Sequence, residues 1–338
     1  MVSMVPFGTC QSGRSVYQFI LEDGRGNRAV LLNYGAVLQQ LWIGGVDVCL
    51  GYDTLAEYEA ANSCFGSTMG RCTGRIANRR FTLGGETWLL SENRPNLHMH
   101  GGFQGFHKKV WEYALPENGV EFTYVSPHLE EGYPGDLTIR VRCRWSAPGE
   151  LELEYDGICN RDTVINLTNH SYFNLDGHDS GDAMGHSLQI FSPVTAEYAP
   201  GNIPTGRVLP VLDTPLDFTR PKLLSQEIDD ASLASTGGYD HNYPLYAHGP
   251  ATAAILRGSR SGIHMEVITD LPDLGLYTAN FLAEQGGKGG CTYGPRHGIC
   301  LETQYIPNGV NLPHFHPIPV FPANTRYHHI TRFRFGKY

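Results

Sequence analysis

Apolar and polar residues alternate most cleanly between Leu137 and Asp156. In Leu137-Thr-Ile-Arg-Val-Arg-Cys-Arg-Trp145 the odd positions are apolar and the even ones are Thr138, Arg140, Arg142 and Arg144. In Leu151-Glu-Leu-Glu-Tyr-Asp156 the odd positions are again apolar and the even ones acidic. A period of two belongs to a strand with one buried and one wet face. Ser146-Ala-Pro-Gly149 joins the two runs, so together they predict an antiparallel hairpin. Even positions must oppose even positions, which sets the three arginines against Glu152, Glu154 and Asp156. Each exposed pair contributes only roughly 0–1 kcal/mol. Their effect is to fix register.

Shorter runs of the same kind predict strands over residues 16–21, 29–33, 37–43, 46–50, 120–126, 187–191, 263–269, 275–282, 299–305 and 325–335. A further hairpin turns about Gly84-Gly85. Helical patterning is confined to Thr54–Ala61, capped by Asp53 or Thr54, and to a short stretch near Lys222–Ile228. Residues 131–136, 176–186 and 237–243 and the Pro/Gly-rich passage through Pro200 and Pro204 read as loops. There is no repeat and no obvious linker. The pattern predicts an all-β chain, a large antiparallel two-sheet β-sandwich with one or two short helices, forming a single domain over residues 1–338.

Composition narrows the partners. Of 338 residues, 41% are hydrophobic and 17% charged, which supports a sizeable core. The net charge of −9, with no basic block, argues against nucleic acid or an anionic membrane as a partner. The first ten residues lack a charged segment followed by an apolar core, and no apolar run is long enough to span a bilayer, so a cytoplasmic location is expected. Eight cysteines without a Cys-x-x-Cys read as reduced thiols, none of them a metal ligand.

One stretch departs from strand logic. Ile165-Asn-Leu-Thr-Asn-His-Ser-Tyr-Phe-Asn-Leu-Asp-Gly177 begins as a strand, then crowds amides, an imidazole, a hydroxyl and a phenol together. Buried polar groups need partners. A strand end opening into a polar, aromatic-walled pocket accounts for the run, and such a pocket suits a carbohydrate or another small polar ligand. His170 sits in it, although a lone histidine is as readily structural. Glu302 lies in an otherwise apolar strand, where a carboxylate either faces solvent or has a managed pKa. Asp240 lies in a glycine-rich loop and reads equally as a turn residue. Arg71, Arg75, Arg79, Arg80 and, further on, Arg94 crowd the segment after Gly66. His98-Met-His100 and His314-Phe-His316 each place two imidazoles at strand spacing, but no carboxylate completes a metal-ligand set before Glu112. Phosphate-loop, dinucleotide and Gly-x-Ser-x-Gly fingerprints are absent.

Several motifs in order resemble the galactose mutarotase (aldose 1-epimerase) family. They are Gly74-Arg-Ile-Ala-Asn-Arg79, His100-Gly-Gly102, Glu130-Glu-Gly-Tyr-Pro-Gly135, Asn166–Leu175, Ile203-Pro-Thr-Gly206, Gly238-Tyr-Asp-His241 and Leu301-Glu-Thr-Gln304. The resemblance runs from about residue 16 to residue 335. It implies an enzyme without a cofactor or metal that interconverts the anomers of an aldohexose, as a monomer or homodimer. By the same resemblance Glu302 is the general base at the C1 hydroxyl and His170 the general acid at the ring oxygen. His100 assists, Asn78, Arg79 and Asp240 hold sugar hydroxyls, and Tyr172 covers a face of the ring. Three rival readings stay open: a non-catalytic sugar-binding module, a mutarotase for sugar phosphates using Arg71 and Arg75, and a metal-dependent isomerase.

The chain departs from the family pattern in three places. His98 is an extra histidine, which faces the core if the strand ends before His100. Gly275 stands where the family often has glutamine, which predicts a lost amide, a larger pocket and a shifted sugar preference. The segment from Asn311 to Pro317, with His314 and His316, is longer than the pattern expects.

Overall fold

The computed structural model describes residues 2–338, and they form an all-β architecture. Its backbone is a nine-stranded antiparallel sheet. In spatial order the strands are Glu112–Ala114, Gly119–Ser126, Leu137–Ala147, Glu150–Cys159, Arg326–Lys337, Ile263–Thr269, Ala251–Arg257, Ser187–Ile190 and Lys222–Leu223. The hairpin predicted from alternation pairs Arg140 with Asp156, Arg142 with Glu154 and Arg144 with Glu152, in the expected register.

Two smaller sheets share a core with it. One is five-stranded and antiparallel, built from Val2–Thr9, Ser15–Glu22, Arg28–Leu32, Val37–Ile43 and Val46–Asp47. The other comprises Asp240–Pro244, Asp273–Tyr277 and Cys300–Gln304. The largest buried cluster draws Phe19, Leu31 and Leu41 from the five-stranded sheet and Val120, Ile139, Leu153 and Phe333 from the large one. It takes Leu274, Leu276 and Leu301 from the three-stranded sheet. Burying apolar area at roughly 25 cal/mol per Å² makes this shared cluster the main force holding the sheets together.

The one α-helix among the described residues, Leu55–Ala60, carries a capping box in which Thr54 and Glu57 satisfy each other's backbone N–H groups. The helix expected near Lys222–Ile228 is not formed. Lys222 and Leu223 pair instead with Leu188 and Ser187 at the sheet edge, and Leu224–Gln226 makes a 3₁₀ turn. Edge pairing and burial of Leu224 outweigh a weak helical preference.

Two passages read as loops are strands. Val194–Ala199 and Ile203–Pro210 form a ribbon whose prolines sit at bulged or edge positions, where a missing N–H costs little. Asp240–Pro244 is the second. Val2–Thr9 and Ala251–Arg257 add strands that alternation did not single out. All eight cysteines are free thiols, and Cys143 is fully buried.

Candidate active site

The three-stranded sheet carries most of its polar side chains on one face. Its register aligns Asn242 with Gly275 and Glu302, and Asp240 with Tyr277 and Cys300. Strand alternation sends Tyr243, Leu274, Leu276 and Leu301 into the core, which leaves Asp240, Asn242, Glu302 and Gln304 on the opposite face. That face floors a cleft of about 950 Å³. Its lining also includes Arg75, His100, His107, His170, Tyr172 and, at the rim, Phe103 and Phe281.

The polar run after Ile165 does two jobs. Asn166 bridges to the backbone of Tyr305, donating to its carbonyl at 2.9 Å and accepting from its N–H at 2.8 Å. Asn169 donates to the Gly66 carbonyl at 2.7 Å, and Asn174 donates to the carbonyls of Gly181 and His297. These buried amides are scaffold. Phe173 goes into the core. His170 and Tyr172 alone of the run line the cleft, the two rings stacked at 5.1 Å with 14° between planes. The backbone of His170 is pinned, its N–H donating to Ser67 and its carbonyl accepting from Gly66.

His170 Nε2 lies 3.6 Å from Glu302 Oε1. Both residues are buried. Burial, and secondly the charge of Asp240, pushes the Glu302 carboxyl up to about 8, with Arg75 opposing. Burial pulls the His170 imidazole down to about 4. Both groups are thus driven toward their neutral forms, Glu302 toward the protonated acid and His170 toward the uncharged imidazole.

His100 follows the strand Leu97–Met99 on a turn at φ +51°, and this swings its ring away from that of His98. The close approach behind it requires glycine, because a Cβ on Gly101 would lie 1.6 Å from the Gly70 carbonyl oxygen. His100 Nδ1 accepts from the Gly74 N–H at 3.3 Å, which assigns the ring proton to Nε2. The ring meets His170 edge-on at 5.4 Å, and burial holds its pKa well below that of a free histidine. His98 is fully buried against Tyr133, with Nδ1 donating to the Ser91 carbonyl at 2.8 Å. His314 and His316 lie on an exposed loop. His98 and His100 turn their rings to different neighbours, and among the described residues no group of three His, Cys, Asp or Glu side chains is arranged to hold a metal ion.

The structure departs from the expected sugar contacts in one respect. Asp240 lines the cleft, accepting from Asn202 Nδ2 at 2.9 Å and from an Arg75 guanidinium N–H at 3.3 Å. Asn78 and Arg79 do not line it. Both sit in a turn of positive φ, and Arg79 is spent on Glu92 at 3.0 Å and on the Leu90 carbonyl at 3.3 Å. Arg75, on the strand Arg75–Ala77, is the arginine of that motif that reaches the cleft. Arg71 is buried and donates to the carbonyls of Pro134, Gly135 and Ser126.

Sequence reasoning also passed over His107, Asn242 and Gln304. Asn242 and Gln304 were accessible by alternation, two residues along from Asp240 and Glu302. Gly275 lines the cleft, and the Gln304 amide nitrogen stands 2.8 Å from where a Cβ would be.

Comparison with known proteins places this cleft in context. The sequence profile of the aldose 1-epimerase family matches residues 17–334. The galactose mutarotase of Sus scrofa is 36% identical, over 98% of this chain and 97% of its own. That of Homo sapiens is 34% identical over 99% and 98%. The aldose 1-epimerase of Haemophilus influenzae is 32% identical over 94% and 96%. Among solved structures, an aldose epimerase homologue from C. elegans superposes with a TM-score of 0.85 at 26% identity, covering 100% of this chain and 99% of that one.

Proposed function

The chain belongs to the aldose 1-epimerase family and is a mutarotase, an isomerase of carbohydrates; we propose that it acts on free aldohexoses such as galactose or glucose, with Glu302 and His170 as the acid–base pair. The observation that carries this reading is the 3.6 Å contact between His170 Nε2 and Glu302 Oε1 in a buried cleft.

The chemistry needs one proton taken and one given. Binding of the sugar, whose hydroxyls replace lost solvent, moves the shared proton from Glu302 to His170. Glu302 then takes the proton of the C1 hydroxyl. The freed electron pair forms the C1 carbonyl, the C1–O5 bond breaks, and O5 receives the proton of His170. Rotation about C1–C2 and closure on the other face of the carbonyl reverse each step and return the other anomer. The pair carries one proton throughout, so no external base is required and no cofactor is called for.

His100, with its proton on Nε2, donates to the ring oxygen or to the C1 oxygen. Asp240 and Arg75, already paired, hold vicinal hydroxyls, and the planar fork of the arginine suits two neighbouring oxygens. Tyr172 backs the ring of His170 and offers an apolar wall. A neutral sugar fits better than a sugar phosphate. Arg71 is consumed by backbone carbonyls and Arg75 is balanced by Asp240, while Lys108 donates to three carbonyls and Arg94 to the Asn93 carbonyl at 3.2 Å. We read the 338 residues as one domain, supported by the core common to its sheets, acting in the cytoplasm as a monomer or homodimer. Among the described residues no helix is long and apolar enough to cross a membrane.

Polarimetry on fresh α-D-galactose, α-D-glucose and other aldoses tests the reading, with native protein, Glu302→Gln and His170→Asn. Faster relaxation that both substitutions abolish is the expected result, and the ranking names the sugar. No acceleration of any free sugar by native protein would overturn it.

A further inference from the structure

Next to Glu302 lies a second buried carboxyl that the acid–base pair does not use. Asp273 and Gln304 are directly paired across adjacent strands, one rung along from Gly275 and Glu302 and on the same face. Asp273 is fully enclosed, and its Oδ1 accepts from the Asn242 amide nitrogen. Its Oδ2 is buried without a partner, and so is Gln304 Oε1. Two unpartnered acceptors on facing residues are costly as they stand. A proton on Asp273 Oδ2 turns that oxygen into a donor, and the facing residue of the adjacent strand carries the acceptor that lacks one. Burial, with Glu302 adding to it, pushes this carboxyl up to about 8, so the neutral form is the one the site favours.

The orientation of the rest follows. The Tyr198 hydroxyl donates to Asn242 Oδ1 at 2.8 Å, which leaves the Asn242 amide nitrogen to donate to Asp273. Donation therefore runs one way, from Tyr198 through Asn242 and Asp273 to the carbonyl of Gln304. The Gln304 amide nitrogen is left facing the cleft over Gly275. That glycine lies in an ordinary strand, so it answers a need for space and not for a special φ. A Cβ there would stand 2.8 Å from Gln304 Nε2, 3.4 Å from Asn242 Nδ2 and 3.5 Å from Glu302 Cβ.

We propose that Gln304 is a specificity-determining residue that donates its amide N–H to a hydroxyl of the aldose, and that the neutral carboxyl of Asp273 positions it. This rests on the cleft being the aldose site. Asp273 touches no sugar in this account and acts only through Gln304.

The test is kcat/KM by polarimetry for a parent aldose and its 2-, 3-, 4- and 6-deoxy analogues. The proteins are the full-length native chain, Gln304→Leu, Asp273→Leu, Asp273→Asn and Gly275→Ala, with folding checked by circular dichroism. Native protein is expected to disfavour one analogue by roughly three- to tenfold, the size of one neutral hydrogen bond. In Q304L and D273L that penalty disappears, because the parent falls to the level of the analogue. In D273N it returns, since an amide at 273 can accept from Asn242 and donate to Gln304 as the neutral acid does. In G275A it shrinks, because the methyl displaces the amide. A penalty pattern identical in native protein and Q304L would overturn the role of Gln304. A D273N variant as impaired as D273L would overturn the neutral bridge. Native protein inactive on every free sugar would instead count against the mutarotase reading.

Discussion

Arginines and carboxylates meet in two places in this molecule, on the outer face of the large sheet and in the cleft, and they behave differently. On the sheet, Arg142 bridges Glu121 at 2.7 Å and Glu154 at 3.3 Å, and Arg332 joins Glu152 at 2.6 Å. Arg334 spans Glu150 at 2.8 Å and Glu266 at 3.1 Å. Nearly every carboxylate there has its own guanidinium. In the cleft Arg75 is paired with Asp240, and Glu302 has only an imidazole within ion-pair distance. The same side-chain types therefore act as register pins on one surface and as a proton store in the other. What separates them is burial together with incomplete pairing, because a dry carboxylate without a cation gains most from holding a proton.

The contrast is sharpest in a substitution that hurts one function and helps the other. Glu302→Gln is expected to lower kcat by about 10²–10⁴-fold, the usual worth of a general base. The same change should make the protein more stable near pH 8, by roughly 1–3 kcal/mol, because it removes a carboxyl that must ionise in a dry place. Thermal unfolding beside polarimetry reads both effects. The sign can be worked out from the shift. The Glu302 carboxyl binds its proton more tightly folded than unfolded, so its contribution to stability is full below about pH 4.5 and is lost as pH rises through about 8. Glu150, held below the usual range by Ser146 and Arg334 against its partial burial, runs the other way and loses its contribution as pH falls. Asp273 titrates in the same range and keeps part of the slope, so a Glu302→Gln protein whose stability declines between pH 5 and 8 as steeply as that of the native protein would break the comparison.

A smaller effect separates the two arginines of one motif. Arg75→Ala should lower kcat/KM by roughly 10–100-fold, as loss of a charged hydrogen bond does, while Arg79→Ala should stay within about twofold of native. Equal losses in both variants would mean that the turn at Asn78 and Arg79 reaches the sugar after all. Smallest of all is the change expected in the outer array. Glu154→Gln should alter stability by less than about 1 kcal/mol, by an amount that shrinks in high salt, and leave sugar turnover untouched.

The same contrast explains what could be read from the sequence. The hairpin at the heart of the outer array was legible to the residue, because its charges alternate with apolar positions, whereas the pairings of Arg332 and Arg334 with Glu152, Glu150 and Glu266 were not read from the sequence. Glu302 stood out as a carboxylate in an otherwise apolar strand, and His170 as a member of a polar run that breaks strand alternation. The strand Asp240–Pro244 was hidden for the converse reason. Its polar face is the site itself, so Asp240 and Asn242 beside Gly237 and Gly238 look like a turn, and only the buried Tyr243 betrays the alternation. Arg75 and Arg79 are four apart in one motif, and nothing in their spacing says that the chain turns at Asn78 with positive φ and carries Arg79 to Glu92. The amides of the His170 stretch read as pocket lining, yet their partners are backbone groups of residues as distant as Gly66 and Tyr305. Pairings of that length are set by the assembled fold and leave no local trace.

The claim at the centre of this account is that Glu302 and His170, both buried, share one proton. The most direct test is the pH dependence of kcat/KM for α-D-galactose, measured by polarimetry from pH 4 to 10. The account predicts a bell, with activity lost toward about pH 4 as the pair takes a second proton and lost above about pH 8 as it gives up its only one. A profile flat across that range in folded, active protein would contradict it.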